Sequence, residues 1–507
     1  MPTDHRSQRI AKNTLMLYIR MAALMLVGLY TSRVVLEALG ENDFGIYNVV
    51  GGVVAMFSVI SGALNSAVSR FITFEMGKGA EARLNRVYST AVTIQFILAL
   101  IVVILAEPCG IWFIENKMTI DPSRIPAART VLHFSLLAFV INLLSVPQMA
   151  SITAHEKMSA YAAIGVLDGL LRLGVALLIM NSYSDRLVLY AALMAAVVFA
   201  VRAAYGIYCR MHFPECRYRP VFDKTLIKEM FTFAGWNFIG VSAGVLRDHG
   251  GNILVNIFSG PALNAARGVA VQLNGAVQGF VTNFMTAVNP QITKSYAAGE
   301  KEYMLSLIRK SSRMSYYLLF MLALPVFFNA EYILSLWLKD VPDHTVLFVR
   351  LFLLFALSES LSQPLVTAQL ATGRIRNYQI VVGGLNLLNL PVSYFLLRAG
   401  AMPEITVVVA IVISQLSLAA RLILLRGMIS LSVRDFVRRV WLNVVAVTAA
   451  AATPVLLLEG FFPDNLSGFC LNALACVAVA GLSILFVGCK AQERREIVSM
   501  IFKNKDR

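Results

Sequence analysis

The sequence has few charged residues and no long polar loop. Its cysteines are not spaced as the ligands of a metal site are. Charged residues make up 14% of the 507 residues, hydrophobic residues make up 58%, and the mean hydropathy is +0.70. These values lie outside the range of soluble globular domains. The six cysteines form no CxxC or Cys/His pattern, so we expect no metal, cofactor or disulfide framework. The loops predicted at 107–129 and 209–230 are the longest. We therefore expect a multi-pass membrane protein whose activity lies between its helices.

Fourteen segments are apolar over about the 20 residues that a transmembrane helix needs. The sequence thus predicts an all-α polytopic membrane protein. The predicted spans are 13–38, 44–67, 87–106, 130–153, 161–181, 187–208, 231–258, 262–289, 314–337, 345–370, 378–397, 404–425, 440–458 and 466–488.

The basic residues sort to one side of this predicted topology. Of the 44 lysines and arginines, 30 lie on the side of the N-terminus, 6 lie on the opposite side, and 8 lie within spans. Cytoplasmic loops carry the excess of Lys and Arg, so both termini are predicted to be cytoplasmic. The same distribution accounts for the net charge of +15, and no nucleic acid partner is needed to explain it.

The two halves of the chain resemble each other. An offset of 220 residues aligns Gly40, Ala67, Ile72 and Gly79 with Gly260, Ala287, Ile292 and Gly299. An offset of 217 aligns Ser145, Pro147, Lys157 and Tyr161 with Ser362, Pro364, Arg374 and Tyr378. Chance similarity between apolar segments is the alternative, but it does not explain matches at Gly, Pro and Tyr.

An even number of spans per half gives a parallel repeat, in which a substrate path lies between two lobes. The predicted domains are a six-helix lobe (1–210), a basic cytoplasmic linker (211–230), a second six-helix lobe (231–430), and two extra helices with a basic cytoplasmic tail (431–507).

Charged residues interrupt the seventh span. Arg247, Asp248 and His249 are followed by Gly250 and Gly251. Consecutive helical residues point about 100° apart, so the three polar side chains cannot share one partner. The double glycine predicts a bend, and backbone freed by a bend at membrane depth must meet protein or water. A polar cavity and a buried structural network are both compatible with this pattern.

The eighth span adds a polar stripe. Arg267, Asn274 and Gln278 are spaced by seven and four residues, so they share one helix face, which Thr282 extends. Together with Arg33 and Arg247, Arg267 outnumbers the acid Asp248. This excess of cations favours an anionic ligand, and the fork of arginine suits phosphate.

Other charges in the spans have more than one interpretation. Asp168 and Arg172 are four residues apart and can pair, or Asp168 can couple transport to an ion. Glu359 precedes Pro364, where it can bind a cation or bond to neighbouring serines. For Arg421, near a span end, we expect the side chain to extend to the membrane surface.

Two stretches resemble a known family. SRVVLEALGENDFGIYNVVGG, beginning at Ser32, and ALNSAVSRFITFEMGKG, beginning at Ala63, resemble the opening hairpin of the polysaccharide-biosynthesis flippases. These are the Wzx-like branch of the multidrug/oligosaccharidyl-lipid/polysaccharide exporter superfamily. The P-x6-A-x2-K/R element of both halves is similar to that family as well. Arg33 and Asp43 match the family turn best.

The resemblance implies two six-helix bundles that work by alternating access in the bacterial inner membrane. It implies, as substrate, an oligosaccharide repeat unit on undecaprenyl pyrophosphate, moved to the outer leaflet for surface polysaccharide or O-antigen assembly. We hypothesise that Arg247, Arg267 and Arg33 contact the pyrophosphate and that Asn274 and Gln278 contact the sugars. Asp248, Asp168 or Glu359 would couple H+ or Na+ movement.

Three alternatives are weighed against this hypothesis. Fourteen spans are also similar to the lipid-linked peptidoglycan-precursor flippases, although their arginine-rich first span is not reproduced. A MATE-type multidrug or cation antiporter should have an acid-rich cavity and twelve spans. A membrane enzyme usually needs a sizeable outer loop, so we expect no enzyme. The sequence leaves open the sugar and any partner proteins of the assembly pathway that bind the loops.

Overall fold

The computed structural model describes residues 3–55, 57–79, 81–118, 120–182, 184–338, 341–457, 465–491 and 493–494. Within these residues the secondary structure is helical and contains no strand. The helices are α1 Thr3–Ala55, α2 Ser58–Gly77, α3 Glu81–Asn116, α4 Ile125–Ala154, α5 Met158–Met180, α6 Arg186–His212, α7 Lys224–Ala297, α8 Lys301–Phe328, α9 Ala330–Trp337, α10 Thr345–Thr372, α11 Arg376–Tyr378, α12 Gly384–Arg398, α13 Ile405–Ile429, α14 Val433–Phe436, α15 Leu442–Leu457 and α16 Leu466–Ser483. Most of the predicted basic tail, residues 495–507, lies outside the described residues.

Side-chain caps fix several helix starts. Asp185 accepts hydrogen bonds from the backbone N–H groups at the start of α6, and Asp223 does the same at the start of α7. Asn465 caps α16 in the same way. These carboxylate and amide oxygens satisfy N–H groups that have no partner within the helix.

Eleven helices in the described part of the chain are long and apolar enough to cross a membrane. Eleven of the predicted spans therefore have a counterpart, and the expected total of fourteen is not confirmed. The segment 44–67 is divided between α1 and α2, so neither helix contains it whole. The segments 231–258 and 262–289 lie within α7, where Arg247, Asp248 and Arg267 make the helix less apolar.

Backbone geometry confirms the internal repeat. Gly40 interrupts α1 with φ 76°, and Gly260 interrupts α7 with φ 81°, at the predicted offset of 220. Gly79 and Gly299 also have positive φ, 71° and 74°, at the same offset. The offset of 217 relates Glu156, φ 59°, to Gly373, φ 73°. Three pairs of rare backbone conformations in the same register show that the halves share one chain path.

The chain divides into two compact units. The first comprises Met1–Val241 and Thr286–Gly299, and the second comprises Ser242–Met285 and Glu300–Arg507. The domain boundaries predicted from the sequence stay a prediction, and α7 contributes residues to both units.

Each unit has its own helix packing. In the first unit α1 packs on α5, and α4 packs on α3 and α6. Val34 and Val35 of α1 pack with Val175 and Ala176 of α5 in one of its apolar clusters. In the second unit α10 packs between α8 and α13, and α12 packs on α13.

Candidate functional site

The double glycine of α7 allows close contacts and does not bend the helix. Gly250 and Gly251 are buried within continuous helix, and the break lies at Gly260. A Cβ atom on Gly250 would lie 2.3 Å from Cδ2 of Leu390, and one on Gly251 would lie 2.4 Å from an Nη atom of Arg267. The predicted bend at these glycines is therefore wrong, because their small size is needed for neighbours from elsewhere in the chain.

Arg267 lies in the space that Gly251 leaves open. The residue is 5% exposed, and its guanidinium lies 5.3 Å from the ring centre of Phe352. One Nη atom donates to the side-chain oxygen of Asn252 and, at 3.5 Å, to the carbonyl of Asp248. Its Nε has no hydrogen-bond partner. The guanidinium is thus fixed by Phe352, Asn252 and the carbonyl of Asp248, and its Nε–H group remains able to donate a hydrogen bond.

Arg247 lies one helix turn from this point and pairs with the next residue. Its Nε donates to Oδ1 of Asp248 at 2.9 Å, and a second nitrogen lies 3.4 Å from Oδ1 of Asn386 on α12. The guanidinium is 4.9 Å from the ring centre of Phe355. The Arg247 side chain is 14% exposed, whereas that of Asp248 is 62% exposed. Asp248 is therefore the accessible member of this pair.

Glu359 connects two of the buried arginines. Its carboxylate interacts electrostatically with Arg421 and Arg247. Arg421 is 5% exposed and also interacts with Tyr378. The expectation that Arg421 reaches the membrane surface is wrong, because its side chain is buried within the second unit, where it interacts with Tyr378 and Glu359.

The serines beside Glu359 have other partners. The hydroxyl of Ser358 lies 2.7 Å from that of Ser414, and Ser360 donates to the carbonyl of Leu357 at 2.7 Å. Glu359 thus interacts with Arg421 and Arg247 and is hydrogen-bonded to Ser414 of α13, not to the serines next to it in the sequence.

These side chains form one cluster, which we call the arginine cluster: Arg247, Asp248, Arg267, Glu359 and Arg421. It carries three cations and two acids on three helices, α7, α10 and α13. Nε of Arg267 and both Nε and Nη1 of Arg421 are buried donors without a hydrogen-bond partner. Buried donors are rarely left unpaired, so the cluster has capacity for additional acceptor oxygens.

The predicted sugar-binding residues continue along α7. Asn274 and Gln278 are half-buried and lie seven and eleven residues beyond Arg267. The side-chain oxygen of Asn274 is buried without a partner, and Thr282 donates to the backbone carbonyl of Gln278. No contact between these two side chains and the arginine cluster is found in the described residues.

Two further predicted residues lie in the first unit. Arg172 donates from Nε to Oδ1 of Asp168 at 2.8 Å, and both side chains are about one-third exposed. Arg33 is exposed on α1. The arrangement brings Arg247, Asp248, Arg267 and Glu359 together, and leaves Arg33 and Asp168 in the other unit.

Asp43, which matches the family turn, holds the break of α1 in place. Arg124 donates to both oxygens of Asp43, through Nε at 3.0 Å and through an Nη atom. The same guanidinium bonds to Asp185, the cap of α6, at 2.8 Å. Arg186 donates to the carbonyl of Ala38 at 3.0 Å, directly before the break. Asp43 is thus a structural residue of this turn.

The sequence gives only a weak signal for the partners of the arginine cluster. Phe352, Phe355 and Glu359 are spaced by three and four residues, which places them on one face of α10. This spacing could have identified the two phenylalanine rings that contact Arg247 and Arg267. Asn252 and Asn386 carry no recognisable pattern and became evident only from their contacts.

Comparison with known proteins identifies the family of the chain. The family model described as polysaccharide biosynthesis protein matches residues 10–296. The uncharacterized membrane protein EpsK of Bacillus subtilis (strain 168) is 21% identical over 306 residues, which is 60% of either chain. The match thus spans less than two thirds of that relative.

Solved structures share the fold. A MATE protein in the straight conformation has a TM-score of 0.73 at 12% identity and covers 84% of this chain and 96% of its own. A MOP superfamily transporter from Pyrococcus furiosus, described as having a binding pocket of reverse polarity, has a TM-score of 0.70 at 10% identity, with coverages of 83% and 96%. The chain therefore belongs to the polysaccharide biosynthesis protein family and has the fold of the MATE/MOP transporters.

Proposed function

We propose that the protein is a flippase for undecaprenyl-pyrophosphate-linked oligosaccharide repeat units. It moves them by alternating access from the cytoplasmic to the outer leaflet of the bacterial inner membrane, for surface polysaccharide or O-antigen assembly. The observation that carries the proposal is the arginine cluster, an excess of cations in the membrane-embedded part of a polysaccharide biosynthesis protein. Both termini are cytoplasmic in this proposal, on the distribution of basic residues.

The pyrophosphate is bound by arginine. A guanidinium can donate two parallel hydrogen bonds to phosphate oxygens, which an ammonium cannot do in the same fixed geometry. Arg267 supplies a fixed cation, because Gly251, Asn252 and Phe352 hold it. Arg247 and Arg33 are the further proposed ligands, and Asn274 and Gln278 bind the sugars.

Coupling to an ion follows from the pairing of Arg247 with Asp248. A pyrophosphate that takes Arg247 releases the carboxylate of Asp248, which is then free to bind H+ or Na+. Each elementary charge moved across 100 mV contributes about 2.3 kcal/mol. Exchange of one cation can therefore bias the transport cycle towards export. Glu359 and Asp168 are the other proposed coupling acids.

The first experiment compares lipid-linked oligosaccharides in cells with and without the gene. An external glycosidase reports which leaflet they occupy, and mass spectrometry identifies the glycan. We expect completed repeat units to remain on the cytoplasmic leaflet in the deletion strain. Unchanged amounts and sidedness would exclude the flippase function.

Variants then test the arginine cluster. We expect R247A and R267A to lose most export, and R247K to retain part of it because the charge remains but the fork is lost. R350A is the control, because Arg350 lies in the same unit and donates to the carbonyl of Phe327, away from the cluster. Export at the wild-type level by both R247A and R267A would show that they do not bind the anion.

A cation or drug antiporter is the second candidate, favoured by the exposed carboxylate of Asp248 and by the MATE-like fold. Drug susceptibility of the deletion strain separates the two functions. A change in susceptibility with unchanged glycan sidedness would favour the antiporter. A trapped peptidoglycan precursor, recognised by its mass, would instead identify the third candidate.

A further inference from the structure

A basic groove lies on the first unit, and none of the residues of the proposed transport site lines it. It has a volume of about 730 Å³ and is lined by parts of α3, α4, α6 and the segment after α6. Ligand sites commonly have about 300–1,000 Å³. The groove is therefore large enough for a headgroup and the first part of an acyl chain.

One face of α6 forms the long wall. Phe199, Arg202, Gly206, Ile207 and Arg210 recur at helical spacing and all line the groove. Phe199 is 63% exposed and Ile207 is 60% exposed. Arg202 and Arg210 are eight residues apart, which is about 12 Å along a helix. The wall thus combines an apolar surface with cations at two positions along the helix.

Arginines give the groove its charge. Arg202, Arg210 and Arg217 line it, and no Asp or Glu does. The guanidinium of Arg202 has one long hydrogen bond, 3.5 Å to the carbonyl of Ile141, and lies beside Tyr88. In the described part of the chain none of the three arginines forms an ion pair.

Glu215 lies in the segment between Arg210 and Arg217. Glu215 bonds to His155, with 2.5 Å between Oε1 and Nε2. One carboxylate does not balance the charge of the three arginines that line the groove.

The opposite wall is held firmly. Asn85 donates to the carbonyls of Glu215 and Arg217 at 2.8 Å, and Ser89 accepts from the backbone N–H of Arg219. These contacts tie the segment after α6 to α3. The side-chain oxygen of Gln148, which also lines the groove, is buried without a hydrogen-bond partner.

The arginines of α6 that line the groove have no arginine at the equivalent positions of the second half of the chain. With the offset of 217, the positions of Arg202, Gly206 and Arg210 correspond to Ala419, Ile423 and Gly427 on α13. The end of α6 at His212 corresponds to the end of α13 at Ile429, which supports this register. The shared fold therefore does not require arginine at positions 202 and 210 or glycine at position 206.

We propose that this groove binds the headgroup of an anionic phospholipid, whose phosphate contacts Arg202, Arg210 and Arg217 and whose acyl chain lies along Phe199 and Ile207. The groove is on the basic side of the protein, which the distribution of Lys and Arg predicts to be cytoplasmic. Basic pockets between transmembrane helices on that side are suited to anionic headgroups. The proposal does not depend on the transported substrate, since no residue of the arginine cluster takes part.

The test is native mass spectrometry of the purified full-length protein with added lipid. The probes are phosphatidylglycerol and phosphatidylcholine with the same acyl chains, glycerol phosphate, and a polyprenyl phosphate. We expect phosphatidylglycerol to bind best. R210A and R217A should each weaken its binding about fivefold, on the contribution of one basic residue at an anionic surface. G206L should abolish binding by filling the groove while leaving every charge in place.

R426A is the matched control, because Arg426 is an exposed arginine in the last turn of α13. It should bind phosphatidylglycerol as the wild type does. Equal binding of the two phospholipids, or wild-type binding by R210A, R217A and G206L, would overturn the proposal. Equal binding of glycerol phosphate would show an anion site without lipid specificity, and preference for polyprenyl phosphate would show a different lipid class. Either result would also refute it.

Discussion

Gly40 and Gly260 have the same backbone conformation, with φ, ψ of 76°, 168° and 81°, 179°, although 220 residues separate them. This region of φ and ψ is essentially restricted to glycine. Each residue interrupts one long helix, so the two halves of the chain turn at equivalent points. The glycines are therefore required by the path of the backbone in both repeats.

Alanine at either position should destabilise the protein. No heavy atom lies within 4 Å of a Cβ added at Gly40 or Gly260, so the penalty comes from the backbone alone. We expect G40A and G260A each to lower the free energy of unfolding by about 1–3 kcal/mol. G45A and G268A are the controls, because both positions are helical and equally open. Thermal unfolding in detergent should show the first pair below the wild type and the controls at or above it.

The ion-pair network around Arg124 gives a second prediction. Arg124 joins Asp43, after the break of α1, to Asp185, the cap of α6. These groups are partly exposed, so we expect D43A and R124A each to cost about 1–2 kcal/mol. The double variant should cost little more than R124A, because the partners share one interaction. Additive losses in thermal unfolding would show that the two residues act separately.

R129A serves as the control for this network. Arg129 pairs with Glu115, and both side chains are more exposed than those of Arg124 and Asp43. Exposed ion pairs contribute little, so R129A should unfold close to the wild type. A loss as large as that of R124A would indicate that loss of any basic residue on this side is responsible.

The sequence predicts the helical architecture and the repeat well, because both depend on local properties. Apolar length marks a membrane span wherever it occurs, and the need for positive φ leaves glycine at both Gly40 and Gly260. Three of the fourteen predicted spans have no counterpart among the long apolar helices of the described residues, because polar residues or a helix break interrupt them. Apolar length alone is therefore not enough to predict a span where polar residues or a helix break interrupt the segment.

Long-range contacts explain the errors at the candidate site. Gly250 and Gly251 suggest a bend in the sequence, but Leu390 and Arg267 determine their role. Arg421 lies near a predicted span end, yet it is buried and interacts with Tyr378 and Glu359 from other helices. Neither neighbour can be identified from local spacing. The sequence shows Arg247 and Arg267 in the predicted spans, whereas their contacts with Asn252, Asn386 and the two phenylalanines required the structure.

The contact between His155 and Glu215 predicts a pH-dependent stability. Burial acts to raise the pKa of Glu215, but the hydrogen bond and charge of His155 outweigh it and lower the pKa below its usual value. A carboxyl group with a lowered pKa stabilises the fold above its unfolded pKa, and this contribution is lost as the pH falls through the folded value. We expect E215Q to be less stable than the wild type at pH 7, with the difference shrinking in acid.

Thermal unfolding between pH 7 and pH 4 measures this difference. E107Q is the control, because Glu107 also pairs with a histidine, His133, but both side chains are about half exposed. Its unfolding temperature should stay close to that of the wild type throughout. A constant difference between E215Q and the wild type over the whole range would show that the charge of Glu215 does not contribute.

The pairing of Asp168 with Arg172 leads to a prediction about coupling. The two side chains bond to each other at 2.8 Å on α5. We expect D168N alone to reduce the folded yield, because it leaves Arg172 without its partner. The double variant D168N/R172Q should recover the yield, because neither charge is left without its partner, and glycan export is then measured on this variant. A well-folded double variant that fails to export would assign Asp168 a role in coupling.

Glu359 and Arg421 give the sharpest test of the arginine cluster. Glu359 is the acid between Arg247 and Arg421, so E359Q leaves two buried cations with less counter-charge. Loss of a buried counter-charge is destabilising, so E359Q should unfold at a clearly lower temperature than the wild type. R421Q should cost less, because Glu359 keeps Arg247. The double variant E359Q/R421Q should be more stable than E359Q, because one excess cation is removed with the acid. E331Q, at an exposed glutamate of α9, is the control.

Thermal unfolding of the purified variants orders their stabilities, and the glycosidase assay reports export by the same proteins. A double variant as unstable as E359Q would show that Arg421 is not the partner that Glu359 neutralises. If the double variant is stable and exports glycan, Glu359 serves only to balance charge. If it is stable but export stops, the carboxylate itself is needed in the transport cycle, which is the result expected of an ion-coupling residue.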